Sequence, residues 1–322
     1  MWDVSIAAAG ALILRTFPFM LLRAAVYFGI AAAFAVAAGG GAGVGWAIGT
    51  LAGTAGRAPG IFWGAVGGLA LVAFMLWWLR EYLLYLVEAS HAAAMALAAV
   101  PARSRSAQGS ISEAMTALQR RFREARTLFS AERLVHGTIG RLIGILDPLA
   151  DMMPADFPLP RNLPDAALRH ALGFAAKAIL ARTVQRGGKD PWPDMRDSLV
   201  LLAQNHAVLM RNAILLAAIG YGAAIVLFFI SLIPALALAQ AYPGSLTPIT
   251  ILLALVFTWS AKQALIEPLA IAAFLELYVR VIEGQKPDPE WDTKLTGASE
   301  EFREIKARAA PPSRGMQRSI LA

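Results

Sequence analysis

Long apolar runs broken by single basic residues dominate the chain, and they predict four membrane-spanning helices. The first runs from about Ala24 to Val44, opened by Arg23 and preceded by Arg15. The second runs from about Ile61 to Leu79 and stops at Arg80-Glu81. The third runs from about Ala213 to Ala239, after Arg211-Asn212. The fourth runs from Thr247 to Ala261 or further and meets Lys262. A span needs roughly 20 apolar residues to cross a hydrocarbon core about 30 Å thick. The fourth reaches that length only by including Pro243 to Ser245 or by continuing past Lys262.

Outside the spans the pattern changes to helical amphipathicity. Ser110 to Leu128, Leu168 to Val184 and Asp194 to Met210 alternate apolar and polar residues with helical spacing. Asp190-Pro191-Trp192-Pro193 breaks the chain before the last of these, and Asp194 is expected to cap it. Asp147 to Pro164 is rich in proline and aspartate and reads as loop. Two stretches fit neither class. Tyr82 to Val100 and Ala264 to Ile282 stay apolar after Arg80 and Lys262, with no turn between, so interface lipid or protein must cover them. The expected fold is all-α: a polytopic helical membrane protein of about four transmembrane helices in two hairpins, with a cytosolic or interfacial helical layer. The expected divisions are an N-terminal hairpin and exit helix over 1–100, a basic helical region over 101–212, a C-terminal hairpin and exit helix over 213–282, and a charged tail over 283–322.

Glycines recur every fourth residue at Gly41, Gly45, Gly49 and Gly53, and again at Gly60, Gly64 and Gly68. Residues four apart share a helix face. A stripe of small residues lets a second backbone approach closely, which drives helix packing in lipid. Its partner is open: the same protomer or another copy. The gap from Gly41 to Gly56 is only about 24 Å as a helix, too short for a crossing of its own. The run therefore reads as the end of span one plus a glycine-rich turn, or as a re-entrant half-helix.

Similar segments recur in the two halves. Ser5 to Val26 and Ser198 to Ile219 are both apolar, meet an arginine with a polar neighbour, and lead into a span. Phe122-Arg123-Glu124 is matched by Phe302-Arg303-Glu304, and Arg80 by Lys262. This suggests an internal duplication with a parallel repeat about the membrane normal.

Composition agrees with a membrane protein: 57% of residues are hydrophobic, 16% are charged, and the mean hydropathy is +0.56. The formal charge of +7 needs no nucleic-acid partner, because an excess of Lys and Arg on cytosolic segments explains it. Ala241 to Thr247 carries no charge and Thr54 to Gly60 only Arg57, whereas Arg80 to Arg211 and the tail from Arg280 are rich in arginine. Both termini are thus expected on the cytosolic side of a bacterial-type inner membrane. The N-terminal stretch is not read as a cleavable signal, because Asp3 precedes it and two arginines interrupt it. Arg120, Arg121, Arg123 and Arg126 form a basic cluster suited to anionic lipid headgroups. A homo-oligomer or a membrane-protein partner is expected.

Candidate chemistry is sparse. The absence of cysteine removes disulfides, thiolate metal sites and thiol catalysis. His91, His136, His170 and His206 are scattered without metal-ligand spacing. Gly187-Gly188-Lys189-Asp190 is too short for a phosphate loop. No catalytic residue, cofactor or metal is expected. Lys262, Gln263 and Glu267 stand at the end of the fourth span, before Pro268. An ionisable residue at membrane depth marks a functional site by default, and a proline there frees a carbonyl that could bind an ion. The alternative is that Lys262 snorkels to the headgroups. Trp259 and Tyr221, with Tyr242 and Phe257, could line a pocket for an organic cation, or serve as packing and interface anchors.

Met195 to Ile214, reading MRDSLVLLAQNHAVLMRNAI, resembles the amphipathic cytosolic helix that feeds a late span in choline-transporter-like proteins. The hairpin and charged helix that follow have similar order. The resemblance covers the last third of the chain. It departs from that family in having about half the spans, no cysteines and none of the family's extracellular loop. It implies uptake of choline or a related amine. The residues themselves suggest a non-catalytic, self-associating scaffold or assembly factor, with a small-solute transporter or channel near the fourth span as the alternative.

Overall fold

A computed structural model describes residues 3–79, 84–99, 111–121, 125–145, 165–187, 190–240 and 247–310. Among these residues the regular structure is entirely helical. In chain order the helices are α1 (Ile6–Arg15), α2 (Phe17–Leu51), α3 (Thr54–Leu79), α4 (Tyr85–Ala98), α5 (Ile111–Arg121), α6 (Ala125–Ile145) and α7 (Asp165–Arg186). Then come α8 (Trp192–Gln204), α9 (His206–Gln240), α10 (Thr247–Ala261), a π-helical turn (Lys262–Ile266), α11 (Glu267–Val281), α12 (Pro289–Ala298) and α13 (Glu300–Ala309). Four helical segments are long and apolar enough to cross a membrane: α2, α3, His206–Ala237 and Pro248–Val281. The last runs without a turn through α10, the π turn and α11, so the fourth span gains its length past Lys262.

The chain divides into two compact units. One, the spanning unit, comprises Phe17–Glu88 and Ile219–Leu269. The other, the helical unit, comprises Met1–Thr16, Ala89–Ala218 and Ala270–Ala322.

In the spanning unit α2 and α3 form an antiparallel hairpin held by glycine against glycine. A Cβ placed on Gly45 would lie 1.9 Å from the carbonyl oxygen of Gly60, and one on Gly41 would lie 2.1 Å from that of Gly64. Gly49 meets Gly56 in the same way, and Gly68 meets Ala37. Both glycine runs therefore face each other inside one protomer. The run is the end of the first span plus a turn, the first of the two expected forms, and not a re-entrant half-helix. Gly41, Gly45 and Gly49 lie in the second half of one unbroken 35-residue helix, about 52 Å long. The reversal comes later, at Ala52-Gly53. Gly53 has φ +80, which favours glycine, and a Cβ there would meet nothing within 4 Å. The fourth member of the stripe thus makes the turn and takes no part in the packing. Beside the glycines, Ala38, Ala65, Leu69 and Ile249 form an apolar cluster joined by Phe34, Ala42, Phe62 and Leu253. The remaining faces of the spans, such as Val36, Trp63, Phe74, Phe229 and Ile233, are exposed and suited to lipid.

The helical unit is built differently. Its core holds large side chains, among them Ile139, Phe174, Ile179, Met195, Phe274 and Phe302, all fully buried. The two long apolar stretches that follow the charged span ends contribute to it: Ala92 to Ala98 and Ala270 to Leu275 are buried throughout. Tyr278 donates a hydrogen bond to the carbonyl of Ser198 at 2.8 Å. Buried Asp292 accepts from Arg196 at 2.8 Å and also from Lys306. Burial alone would raise its pKa, but the two cations hold the carboxyl below its usual range. At the N-terminus, Asp3 accepts from Arg211 at 2.5 Å and from Asn212 at 3.1 Å, which likewise depresses its pKa, the Asn212 bond most of all.

Several local expectations shift. Ser110 to Leu128 comprises parts of two helices, α5 and α6, with 122–124 outside the described residues. Asp194 to Met210 is broken at Asn205, which ends α8 and whose amide donates to Leu201 O at 2.9 Å. Asp194 does not cap α8. It lies in the first turn, paired with Arg186 at 3.2 Å, while Asp190 accepts from the Trp192 amide at 3.1 Å. The loop expected over Asp147 to Pro164, Arg80 and Tyr242 lie outside the described residues.

Candidate functional site

Pro268 organises the most polar part of the spanning unit. Proline has no backbone N–H, so it cannot serve the carbonyl one turn before it. The helix answers with a π turn: the amide of Glu267 donates to Lys262 O, five residues back. With that donor used and Pro268 unable to donate, the carbonyl of Gln263 has no helical partner. Arg23 supplies one. Its Nη2 donates to Gln263 O at 2.8 Å and its Nε at 3.2 Å. The guanidinium is fully buried and lies 5.6 Å from the centroid of the Tyr27 ring.

Arg23 also approaches Glu88 at 3.9 Å, and Tyr27 donates to the same carboxylate at 2.6 Å. Tyr27 in turn meets Trp259 edge-on at 5.5 Å. On the other side of the bulge Lys262 Nζ bonds Glu267 Oε2 at 3.0 Å and lies 5.3 Å from the centroid of the Tyr221 ring. Both members of this pair are buried. On a plain α-helix, residues five apart point about 140° away from each other. The wider π turn closes that angle, so the bulge that frees the carbonyl also makes the Lys262–Glu267 pair possible.

Each of the five proposed path residues now has a position. Lys262 is buried within the protein and held by Glu267. Gln263 contributes its backbone oxygen to Arg23. Trp259 packs on Tyr27, and Tyr221 faces the Lys262 ammonium. Two cations and two carboxylates balance here, and such groups resist burial unless paired. Chemically the arrangement can hold helices in register.

Sequence reasoning missed Arg23, Tyr27 and Glu88. In the sequence Arg23 marks only the basic edge of span one. The available signal was a lone arginine and a lone glutamate, each inside an apolar run. Further along the spans the polar contact is a hydroxyl pair, Ser231 Oγ to Thr258 Oγ1 at 3.0 Å.

The other candidates are dispersed. Arg120 is exposed; the side chains of Arg121 and Arg126, and all of Arg123, lie outside the described residues. His91 Nε2 contacts Thr16 Oγ1 at 3.2 Å, His136 pairs with Glu132 at 3.6 Å, and the His206 ring meets Trp291 at a tilt with centroids 5.3 Å apart. Among the described residues no three potential ligands gather for a metal ion.

No protein-family model matches this chain, and neither the curated proteins nor the solved structures give a match.

Proposed function

We propose that this chain is a non-catalytic multi-pass protein of a cell membrane, both termini cytosolic, that acts as a scaffold for assembly. The observation that carries this reading is the cluster at the π turn. The charged side chains at the π turn, Arg23, Glu88, Lys262 and Glu267, bond to one another and to a freed carbonyl, as a lock between helices would. The glycine stripes are occupied within the hairpin, so self-association must use another surface. The outward face of α3 is suited to it: Trp63, Leu71, Phe74, Trp77 and Trp78 are all exposed. The basic helix around Arg120 would rest on anionic headgroups.

The test is particle mass in nanodiscs containing anionic lipid. A discrete oligomer that Phe74→Ser with Trp78→Ser reduces to a monomer supports the reading. A monomer at all concentrations, with no stable partner co-purifying, overturns it. The alternative, a small-solute transporter, has one specific observation in its favour, because π turns recur at functional sites. Flux of amines or cations in proteoliposomes that Glu267→Gln abolishes would establish that reading instead.

A further inference from the structure

The spanning unit leaves a gap where its small residues face one another. A cleft of about 480 Å³ is lined by α2, α9 and α10. Ala31, Ala32 and Ala35 of α2, Ala235 of α9 and Ala254 of α10 form much of its wall. Ala31, Ala32 and Ala35 give α2 a small-residue face toward the cleft, and α9 and α10 each add an alanine four residues from a hydroxyl, Ala235 from Ser231 and Ala254 from Thr250. In the α2–α3 hairpin, small residues let the backbones touch. Here they do not close the space. Left unfilled, an open cleft of that size would forfeit dispersion contacts with its lining atoms, so an occupant is expected.

The wall also specifies the chemistry of that occupant. Its polar side chains are two hydroxyls, Ser231 and Thr250. Ser231 already bonds Phe228 O at 2.9 Å and Thr258 Oγ1 at 3.0 Å. A polar or charged solute would leave its own groups unmatched against the remaining surface. The Phe28 and Phe257 rings, 5.6 Å apart, add an aromatic face. All three helices belong to segments able to cross the membrane, where the surrounding medium is hydrocarbon. A helix of a second copy is about 10 Å across, and about one turn of it would fill the volume. A single flexible hydrocarbon chain matches the apolar wall without such a partner.

We propose that this cleft binds one acyl chain of a membrane lipid and retains it while bulk lipid exchanges. The proposal does not depend on the scaffold reading.

The test uses the full chain in phosphatidylcholine nanodiscs doped with a phosphatidylcholine carrying a mid-chain diazirine. After irradiation, adducts at Ala32, Ala35 and Leu253 should exceed those at Val44 and Ile48, exposed on α2, several-fold. They should also decay more slowly when excess unlabelled lipid is added before irradiation. Ala32→Leu with Ala235→Leu fills the cleft and should bring its labelling down to the Val44 and Ile48 level. If that variant does not fold, the exchange comparison on the unaltered chain decides alone. Equal labelling and equal exchange at both places would mean bulk lipid only and would overturn the proposal. Because the chain lacks cysteine, Ala235→Cys gives a second check: a disulfide-linked dimer would put a second copy in the cleft and also overturn it.

Discussion

The two hairpins of the spanning unit solve one problem in opposite ways. In α2–α3 the helices meet through backbone, with no side chain between Gly41, Gly45 and Gly49 and their partners. In the C-terminal pair, α9 and α10 meet through side chains: Ser231 with Thr258, and the Lys262 ammonium against Tyr221. Lipid offers no hydrophobic drive between helices, so each pair needs its own source of attraction. Close backbone contact is all or none, because any Cβ blocks it. Polar contact is graded, because a lost partner can be replaced or removed with its mate. The first hairpin should therefore fail abruptly under substitution and the second by degrees.

The largest effect is expected at the glycines. Gly45→Leu places a side chain where the Gly60 oxygen already lies, and should eliminate the detergent-stable folded protein, a loss of about 3 kcal/mol or more. Gly53→Ala strains only the turn and should cost about 1 kcal/mol. Thermal melting of both variants checks the contrast. Equal melting temperatures would show that the hairpin does not depend on close approach.

Next come the buried charges. Arg23→Met leaves the Gln263 carbonyl and Glu88 without their cation and should cost about 3–5 kcal/mol. Lys262→Met should behave similarly through Glu267. Lys262→Met with Glu267→Leu should recover most of that loss, since both charges leave together. A double-mutant cycle by denaturant unfolding measures the coupling. Additive losses would mean that the pair is not a lock.

The hydroxyl pair is the smallest contributor within the spans. Ser231→Ala should cost about 0.6 kcal/mol, as expected for one interhelical hydrogen bond in a membrane. In the helical unit, acid should act through Asp3 and Asp292. Both carboxyls have folded pKa values below their ordinary ones. Their stabilisation is therefore full above about pH 4 and is lost as the pH falls through the folded values. Asp292→Asn should flatten the acid limb of a pH–stability curve.

Much of this was legible in sequence, and the misses are instructive. The spans and the all-helical class follow from apolar run length. The glycine spacing marks the packing face of α2, but apolar run length does not show where a helix stops: the span expected to end near Val44 continues to Leu51 before the reversal. The partner stripe on α3 was visible as Gly60, Gly64 and Gly68; that the two would meet is a fact of the hairpin. The π turn was not legible, since helical periodicity has no signature for a single five-residue bond. Pro268 was its one mark, and the freed carbonyl was anticipated. Its partner was not, because Arg23 stands far away in the chain and looked like an ordinary span boundary.

Pro268 has one more consequence. A π bulge migrates along a helix when successive amides hand their acceptors on by one residue. Moving it past Glu267 would require an amide hydrogen from Pro268, which has none. The missing hydrogen marks the C-terminal edge of the bulge, which is why the freed carbonyl that Arg23 caps falls at Gln263.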